Sequence, residues 1–302
     1  MMSHNDYSGV SIVVPVFNGE AYISRCVESL LELDYPEEKR EIIIVDNRST
    51  DDTKNIIQKY PVRYLFEGKK GACCARNTGW KTATFDLIAF TDCDCVADKN
   101  WLKEIVIGFD DEMVGGCGGY LKPAPPKTVI EEYVIYKDIL SQERAMRNES
   151  LSPPFIVTAN AMYRKKILEE AGGFDETFIA AGEDADLSWR VAWKGYKILY
   201  EPNAIVNHYH RATLMGLLRQ IRSYGAGGSY LFHKHHEKLG YKRYVSHQVY
   251  NELILSFIKI PYCLAFGKNR LERIVSILDF LGAFSYLSGK ISASLKIGAR
   301  FY

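Results

Sequence analysis

The sequence predicts an α/β fold, a mostly parallel sheet sandwiched by helices, followed by a basic helical carboxyl-terminal extension. Three observations carry this. Short apolar strands alternate with helix-spaced segments from residue 10 onward, the order that builds parallel sheets covered on both faces. Polar residues gather at the carboxyl ends of those strands, where such sheets collect ligands. Charge is unevenly divided: residues 205–302 hold 14 Lys and Arg against 4 Asp and Glu, leaving 24 against 33 for residues 1–204.

In chain order, "GVSIVVPVFNG" reads as a buried strand over Val10 to Val14, stopped by Pro15 and opened into a loop at Asn18-Gly19. Ile23, Cys26, Val27, Leu30 and Leu31 recur at helical spacing, and Tyr35-Pro36 ends that helix. "EIIIVD" is the second strand, and the turn "NRSTDDT" supplies capping side chains for a helix from about Lys54. "VRYLF" and "LIAF" are two further strands, separated by the glycine-hinged loop and helix of "GKKGACCARNTGWKTA". "VIEEYVIYKDILSQERAM" is helix-like and lies between the loops "PAPPK" and "NESLSPP". The glycine-rich "GGCGGY", 115–120, lacks the Lys-Ser/Thr of a phosphate loop and reads as a bend at a sheet edge. "YGAGGSY", 224–230, reads as a helix break.

A composition of 47% hydrophobic and 25% charged residues excludes a disordered chain. The seven cysteines (26, 73, 74, 93, 95, 117 and 263) contain no CxxC pair, which argues against a disulfide framework or a zinc knuckle. Cys73-Cys74 with Cys93-x-Cys95 is poorly spaced for a thiolate site, so reduced, mostly buried thiols are expected. "MMSHNDYSG" lacks a basic start followed by an apolar stretch, and a cytoplasmic location is expected. No nucleic-acid partner is expected.

"LIAFTDCDCV" sets Asp92 and Asp94 one residue apart at a strand end. Hard oxygen donors there suit Mg²⁺ or Mn²⁺ shared with substrate phosphates; the alternative is a polar turn, where Asp is common. Pro15, Phe17 and Asn18 after the first strand and Asp46 at the end of the second converge on the same crevice, which favours the metal or nucleotide reading. A second cluster opens the helix of "GEDADLSWR". Glu183 and Asp184 there suit either an ordinary acidic first turn or a general base above an acceptor pocket. The upstream "AGGFDE" and the aromatic pair Trp189 and Trp193 favour the base.

Over nearly all of residues 10–225 the chain resembles the family 2 inverting glycosyltransferases of the GT-A fold. The stretches that carry the likeness are "VSIVVPVFNGE", "IIIVDNRSTDDT", "GACCARNTGW", "FTDCDC", "TANAMYRKKILEEAGGFDE", "GEDADLSWR" and "YEPNAIVNHYH", specific in this order and spacing. The resemblance implies a GT-A domain over 1–225, with a donor half at about 10–120 and an acceptor half at about 121–225, and a helical extension over 226–302. It implies that Pro15, Val16 and Glu20 line base and ribose, that Asp46 meets the base, and that Arg76 helps hold the nucleotide. Asp92 would meet the ribose or the metal's water shell, and Asp94 and His208 would hold Mg²⁺ or Mn²⁺ at the diphosphate. Asp184, with Glu183 beside it, would deprotonate the acceptor hydroxyl, and Asn160, Gly173 and Phe174 would shape the sugar and acceptor pocket.

The implied partners are a nucleotide-sugar donor, a UDP-sugar first, and a glycan or lipid-linked acceptor, in cell-envelope polysaccharide synthesis. Asn47 stands where many relatives have Asp, and Arg48 where Gly is common, which leaves the base preference open. "RQIRSYG" only approximates the Gln-x-x-Arg-Trp signature of the processive synthases, which argues for single-sugar addition. Two other readings fit the sequence less well. A sugar-phosphate nucleotidyltransferase needs a glycine- and basic-rich loop that "PVFNGEAY" does not supply, and a catalytically silent binding protein would be favoured by loss of Asp94 or Asp184.

In the tail, Lys259, Pro261 and Asp279 interrupt "LILSFIKIPYCLAF" and "LERIVSILDFLGAFSYLSG" short of the roughly 20 uninterrupted apolar residues of a spanning helix. Leu271, Ile274, Val275, Leu278 and Leu281, with Lys268 and Arg273 nearby, suit an in-plane amphipathic helix on an anionic membrane surface. That would place the protein peripherally on the inner face of the cell membrane. A helical pair packed on the body, or a dimer contact, fits the same pattern.

Overall fold

The computed structural model describes residues 7–147, 153–178, 181–240 and 247–298. Most of the "NESLSPP" loop and of the amino-terminal stretch lies outside them. In chain order the elements are β1 (Val10–Val16), α1 (Ile23–Leu31), β2 (Arg40–Asp46), α2 (Thr53–Ile57), β3 (Arg63–Phe66), α3 (Ala72–Thr82), β4 (Leu87–Thr91) and β5 (Cys95–Ala97). There follow α4 (Trp101–Ile107), β6 (Val114–Pro123), α5 (Val129–Tyr136), α6 (Gln142–Met146), β7 (Asn160–Arg164), α7 (Lys165–Ala171), α8 (Glu183–Trp193) and β8 (Lys197–His208). The helices α9 (Leu214–His235), α10 (His247–Phe266) and α11 (Arg270–Ile297) complete the described chain.

The eight strands form one sheet in the order β3-β2-β1-β4-β7-β6-β8-β5. Parallel pairing joins β1 to β2 and β4, β2 to β3, and β6 to β8, while β7 runs antiparallel to β4 and β6, and β5 to β8. β1 runs through Pro15 to Val16, farther than the proline suggested. The Val16 carbonyl accepts from the Asn47 N–H on the β2 side, so by alternation Pro15 faces the β4 side. There β4 pairs only as far as Val13, and the missing N–H empties no ladder position. The central strands are buried on both faces: Ile12, Val14, Ile44, Ala89, Met162 and Val206 belong to one apolar core.

The chain gathers into two compact units. The first comprises Met1–Ala124, Leu140–Ile179 and Glu183–Tyr209, and holds the whole sheet. The second comprises Pro125–Ile139, Ala180–Gly182 and His210–Tyr302, with α5, α9, α10 and α11. The expected boundary at residue 225 falls inside α9, one unbroken helix.

Both glycine-rich stretches differ from expectation. "GGCGGY" is no edge bend: it lies in β6, an interior strand bonded to both β7 and β8. Its glycines leave room for side chains on that strand, since a Cβ on Gly116 would meet the Tyr163 ring at 2.6 Å and one on Gly118 the Gln142 amide at 2.8 Å. "YGAGGSY" does not break α9. A Cβ on Gly225 would run into the Tyr286 carbonyl of α11, and one on Gly289 of α11 into the Arg222 carbonyl, so the glycines let two helix backbones touch.

The tail corrects a third expectation. Leu271, Ile274, Val275 and Leu278 of α11 do not form a free stripe; they pack in the second unit with Ile130, Tyr133 and Val134 of α5 and Leu217 of α9. Pro261 does not end α10, and α10 and α11 are both long and apolar enough, by length and composition, to cross a membrane.

Candidate active site

The carboxyl ends of β1, β2 and β4 open into one region of the first unit, held in shape by cross-loop hydrogen bonds. After β1, Asn18 takes a left-handed backbone (φ 50°), which Asn tolerates, and its Oδ1 accepts from the Thr50 N–H at 2.8 Å. Gly19 N–H donates to Thr53 Oγ1 at 2.8 Å, and Glu20 Oε2 accepts from the Asp52 N–H at 3.1 Å. Glu20, expected along the base and ribose, also braces the loops after β1 and β2. Pro15 and Val16 are buried at the strand end, while Phe17 stands half exposed beyond them.

Asp46 is buried, with Oδ1 accepting from the Ser49 N–H at 2.9 Å and Oδ2 from the Tyr64 hydroxyl at 3.0 Å. Burial, and then the Asp46 carboxylate, pushes the Tyr64 hydroxyl up to about 12. Asn47 donates from Nδ2 to the carbonyls of Glu67 and Lys69 and accepts at Oδ1 from the Gly71 N–H, tying the loops after β2 and β3 to the start of α3. An Asp there could not make both donations, so amide chemistry explains this departure from the family pattern. Arg48 has φ 67°, the left-handed backbone for which a glycine is common.

The turn after β4 presents Asp92 and Asp94. β5 pairs antiparallel with β8, Cys95 opposite His208, and Tyr209 N–H donates to the Asp94 carbonyl at 2.9 Å. This register delivers His208 to Asp94, with Nε2 3.6 Å from Oδ1 and both side chains buried. Asp94, Cys95 and His208 offer three ligand atoms within 4.8 Å of one another. A carboxylate oxygen and an imidazole nitrogen suit Mn²⁺ or Mg²⁺ completed by substrate oxygens, and the soft thiol is not needed by such an ion. The residues present therefore fit a hard divalent cation. Asp92, expected to meet the ribose or the metal's water shell, has Oδ1 on Arg76 and stays partly exposed.

Arg76, from α3, is nearly sealed from solvent. Its NH2 donates to Asp92 Oδ1 and its NH1 to Glu183 Oε1, each at 2.9 Å, while its Nε has no hydrogen-bond partner. Its guanidinium carbon lies 5.7 Å from the centre of the Phe174 ring. Burial alone would lower its proton affinity, but the charges of Asp92 and Glu183 outweigh it and hold the group above its ordinary value. One cation thus joins the strand-end carboxylate to the first turn of α8. Glu183 is thus held by Arg76, and its neighbour Asp184 makes no ion pair with that guanidinium. Burial, and then the charge of Glu183, pushes Asp184 up to about 7 against the Ala185 N–H, which donates to its Oδ1 at 2.9 Å.

The three residues expected to shape the sugar and acceptor pocket are instead inner supports. Asn160 is fully buried, donating to the Tyr120 and Ala204 carbonyls and accepting from the Trp101 indole, so no polar group of its amide remains open. Gly173 has φ 68°, and a Cβ there would meet Asn77 Oδ1 at 2.8 Å. Phe174 is buried edge-on against Phe90, ring centres 5.2 Å apart. Trp189 is likewise buried, its indole donating to the Pro153 carbonyl at 2.9 Å, with the Trp193 ring 6.1 Å away.

Two brackets escaped the sequence reading. Asn77 accepts from the Phe174 N–H and donates to the Phe174 carbonyl, pinning the "GGF" loop to α3. Asp186, fully buried in α8, pairs with Arg190 at 2.7 Å, and Arg190 in turn donates to the carbonyls of Ala171 and Gly173. The i, i+4 spacing of Asp186 and Arg190 was a readable signal; the partner of Asn77, 97 residues away, was not.

Residues 11–172 match the family model described as glycosyl transferase family 2. The chain is 27% identical over 240 residues, 74% of its own length and 74% of the relative's, to "Dolichyl N-acetyl-alpha-D-glucosaminyl phosphate 3-beta-D-2,3-diacetamido-2,3-dideoxy-beta-D-glucuronosyltransferase" of Methanococcus voltae. It is also 27% identical to glycosyltransferase AglE of Haloferax volcanii, over 70% of this chain and 71% of that one. Among solved structures, mannosyltransferase PcManGT from Pyrobaculum calidifontis, in complex with GDP-Man and Mn²⁺, aligns over 96% of this chain and 88% of that one, with TM-score 0.64 and 17% identity. That likeness is one of fold.

Proposed function

This chain belongs to glycosyl transferase family 2 and is a glycosyltransferase of GT-A fold, and from that premise we propose that it transfers a sugar with inversion from a nucleoside diphosphate sugar to an acceptor hydroxyl. A UDP-sugar is the first donor to test, and the acceptor is a glycan or a lipid-linked saccharide met at the inner face of a membrane. The observation that most supports the reading is the buried Arg76 bridge, which holds the strand-end Asp92 and the Glu183-Asp184 turn on either side of one guanidinium.

On this reading Asp46 meets the nucleotide base, and Arg76 fixes the Asp92 carboxylate at the strand end, beside the donor. Asp94 and His208 hold Mg²⁺ or Mn²⁺. Such an ion, when bound, neutralises charge on the departing diphosphate. Asp184 accepts the acceptor's hydroxyl proton at its free carboxylate oxygen, and its raised proton affinity makes it the stronger base. Glu183 stays paired with Arg76 and fixes the turn.

Calorimetry with UDP, GDP and dTDP, with and without Mn²⁺, tests the site. Asp94→Asn should weaken metal-dependent nucleotide binding by about 10- to 100-fold, the equivalent of one lost interaction with a charged group, and chelation of the wild type should mimic it. Equal nucleotide affinity with and without metal overturns the metal assignment.

A further inference from the structure

α10 is the most exposed long helix of the second unit: of its twenty residues only Ser256 is buried. Leu253, Ser256, Ile260 and Cys263 recur at three- and four-residue spacing and form its more covered side; Cys263 Sγ lies 3.0 Å from Ser276 Oγ of α11. Outside that stripe the helix is apolar and open, with Ile254 at 58%, Ile258 at 64%, Tyr262 at 67% and Phe266 at 69% exposure. Leu255, Phe257 and Leu264 are also at least half exposed. At 100° per residue these seven side chains sweep an arc of about 200°, twice the stripe by which a surface helix of a globular protein meets its core.

We propose that α10 is the membrane-embedding element of this protein, seated in one leaflet of an anionic lipid bilayer without crossing it. This goes beyond the transferase reading and does not depend on which donor or acceptor is used. The width of the open arc selects the occupant. A second protein surface covers one face of a helix, whereas hydrocarbon covers every side that α11 does not.

Charge selects the lipid and the depth. The turn after α10 and the first turn of α11 carry Lys268, Arg270 and Arg273 against the single acid Glu272, a tip that matches anionic headgroups and would be costly to carry through hydrocarbon. Lys259, exposed among the apolar side chains, has a stem long enough to bring its ammonium to the headgroups when the helix lies in the plane. At the other end, Lys137, which follows the last residue of α5, pairs with Asp279 of α11 at 2.8 Å and with Glu252 of α10 at 3.4 Å, and Tyr133 donates to Asp279 at 2.8 Å. Those ionic contacts fasten the hairpin to α5. Leu271, Ile274, Val275 and Leu278 in the first turns of α11 are already spent on α5 and α9, so the end of α11 next to the charged tip is not free to return across a bilayer beside α10, while Phe284 and Leu295 farther along stay exposed.

The test uses the full chain and needs no turnover, so its failure is separable from failure of the transferase reading. Vesicles of phosphatidylcholine, alone or mixed with phosphatidylglycerol, are sedimented with the protein at low and high salt. Binding should favour the anionic vesicles, and high salt should weaken it without abolishing it. The triple variant Ile254→Ser, Ile258→Ser, Leu264→Ser should lose at least about tenfold in vesicle affinity, the fraction expected from removing several buried aliphatic side chains. Its unchanged melting temperature would show that the fold is intact. Trypsin added outside the vesicles should still cut bound protein at Lys268 or Arg270. Absence of binding at low salt, or equal binding by the triple variant, overturns the proposal. Protection of the tip until detergent is added shows crossing and overturns it too. A lipid-free dimer that the triple variant abolishes, with no vesicle binding, assigns the face to a second copy and also overturns it.

Discussion

Asp184 stands in the first turn of α8 with its proton affinity raised first by burial and then by Glu183, and this has opposite consequences for turnover and stability. A base must be unprotonated, so turnover should rise with pH through the region near 7 and level off above it. Asp184→Asn should lower turnover by about 10² to 10⁴ at the plateau while leaving nucleotide affinity nearly unchanged. A variant with near wild-type turnover would pass the role to another residue. Stability follows the other sign. A carboxyl whose folded value lies above its unfolded value destabilises the fold once ionised, so this penalty grows as pH rises from about 4 to about 7 and is constant beyond. The Asn variant carries no such penalty. Its melting temperature, measured against the wild type, should gain with pH over that window; a difference that is flat with pH would contradict the assignment. The acidic turn was legible in the sequence, and the resemblance pointed to Asp184, but the pairing of Glu183 with Arg76 was not legible, because Arg76 is 107 residues from Glu183 and 16 from Asp92.

At the scale of elements, strands and helices with strong apolar periodicity were legible, because their pattern reports one face against a core: Ile23, Cys26, Val27 and Leu30 are the buried face of α1 as their spacing indicates. Glycine was not legible in the same way. A glycine marks a bend when it serves its own backbone and a close contact when it serves a neighbour's, and the neighbour is absent from a local reading. α9 makes the difference measurable. Gly225→Ala would drive a Cβ into the Tyr286 backbone carbonyl, which cannot rotate away, and should destabilise by about 1 to 3 kcal/mol. Gly228→Ala meets only the tip of the Tyr286 side chain, at 3.3 Å, and gains helix propensity of up to about 1 kcal/mol, so it should be neutral or stabilising. Thermal unfolding of the two variants decides it. Equal effects would mean that the backbones of α9 and α11 do not need to touch.

At the scale of the whole molecule, the convergence of strand ends was readable from the alternation of β1, β2 and β4 with helices, whereas the arrival of His208 was implied only by the family resemblance and not by local pattern. It depends on β8 pairing with β5, a short strand of three residues that no periodicity announces. The charge division was also readable, but not how the basic tail packs within the second unit. Leu271, Ile274, Val275 and Leu278 of α11 complete a core with Ile130, Tyr133 and Val134 of α5 and Leu217 of α9. A chain ended at Asn251 would therefore do more than remove exposed apolar surface from α10. It would strip the cover from that core and lose the Asp279 partner of Lys137 and Tyr133. Losing buried apolar contacts on this scale exceeds any single core truncation, each of which costs about 2 to 5 kcal/mol. The shortened chain should bind an apolar dye strongly, elute as aggregates and lose solubility, whereas substitutions on the open arc of α10 should improve solubility and leave unfolding cooperative. Dye binding, size-exclusion elution and thermal unfolding of the two kinds of variant make the comparison. A monomeric, cooperatively folding chain ending at Asn251 would show that the α5, α9 and α11 core is dispensable and that the tail is an appendage after all.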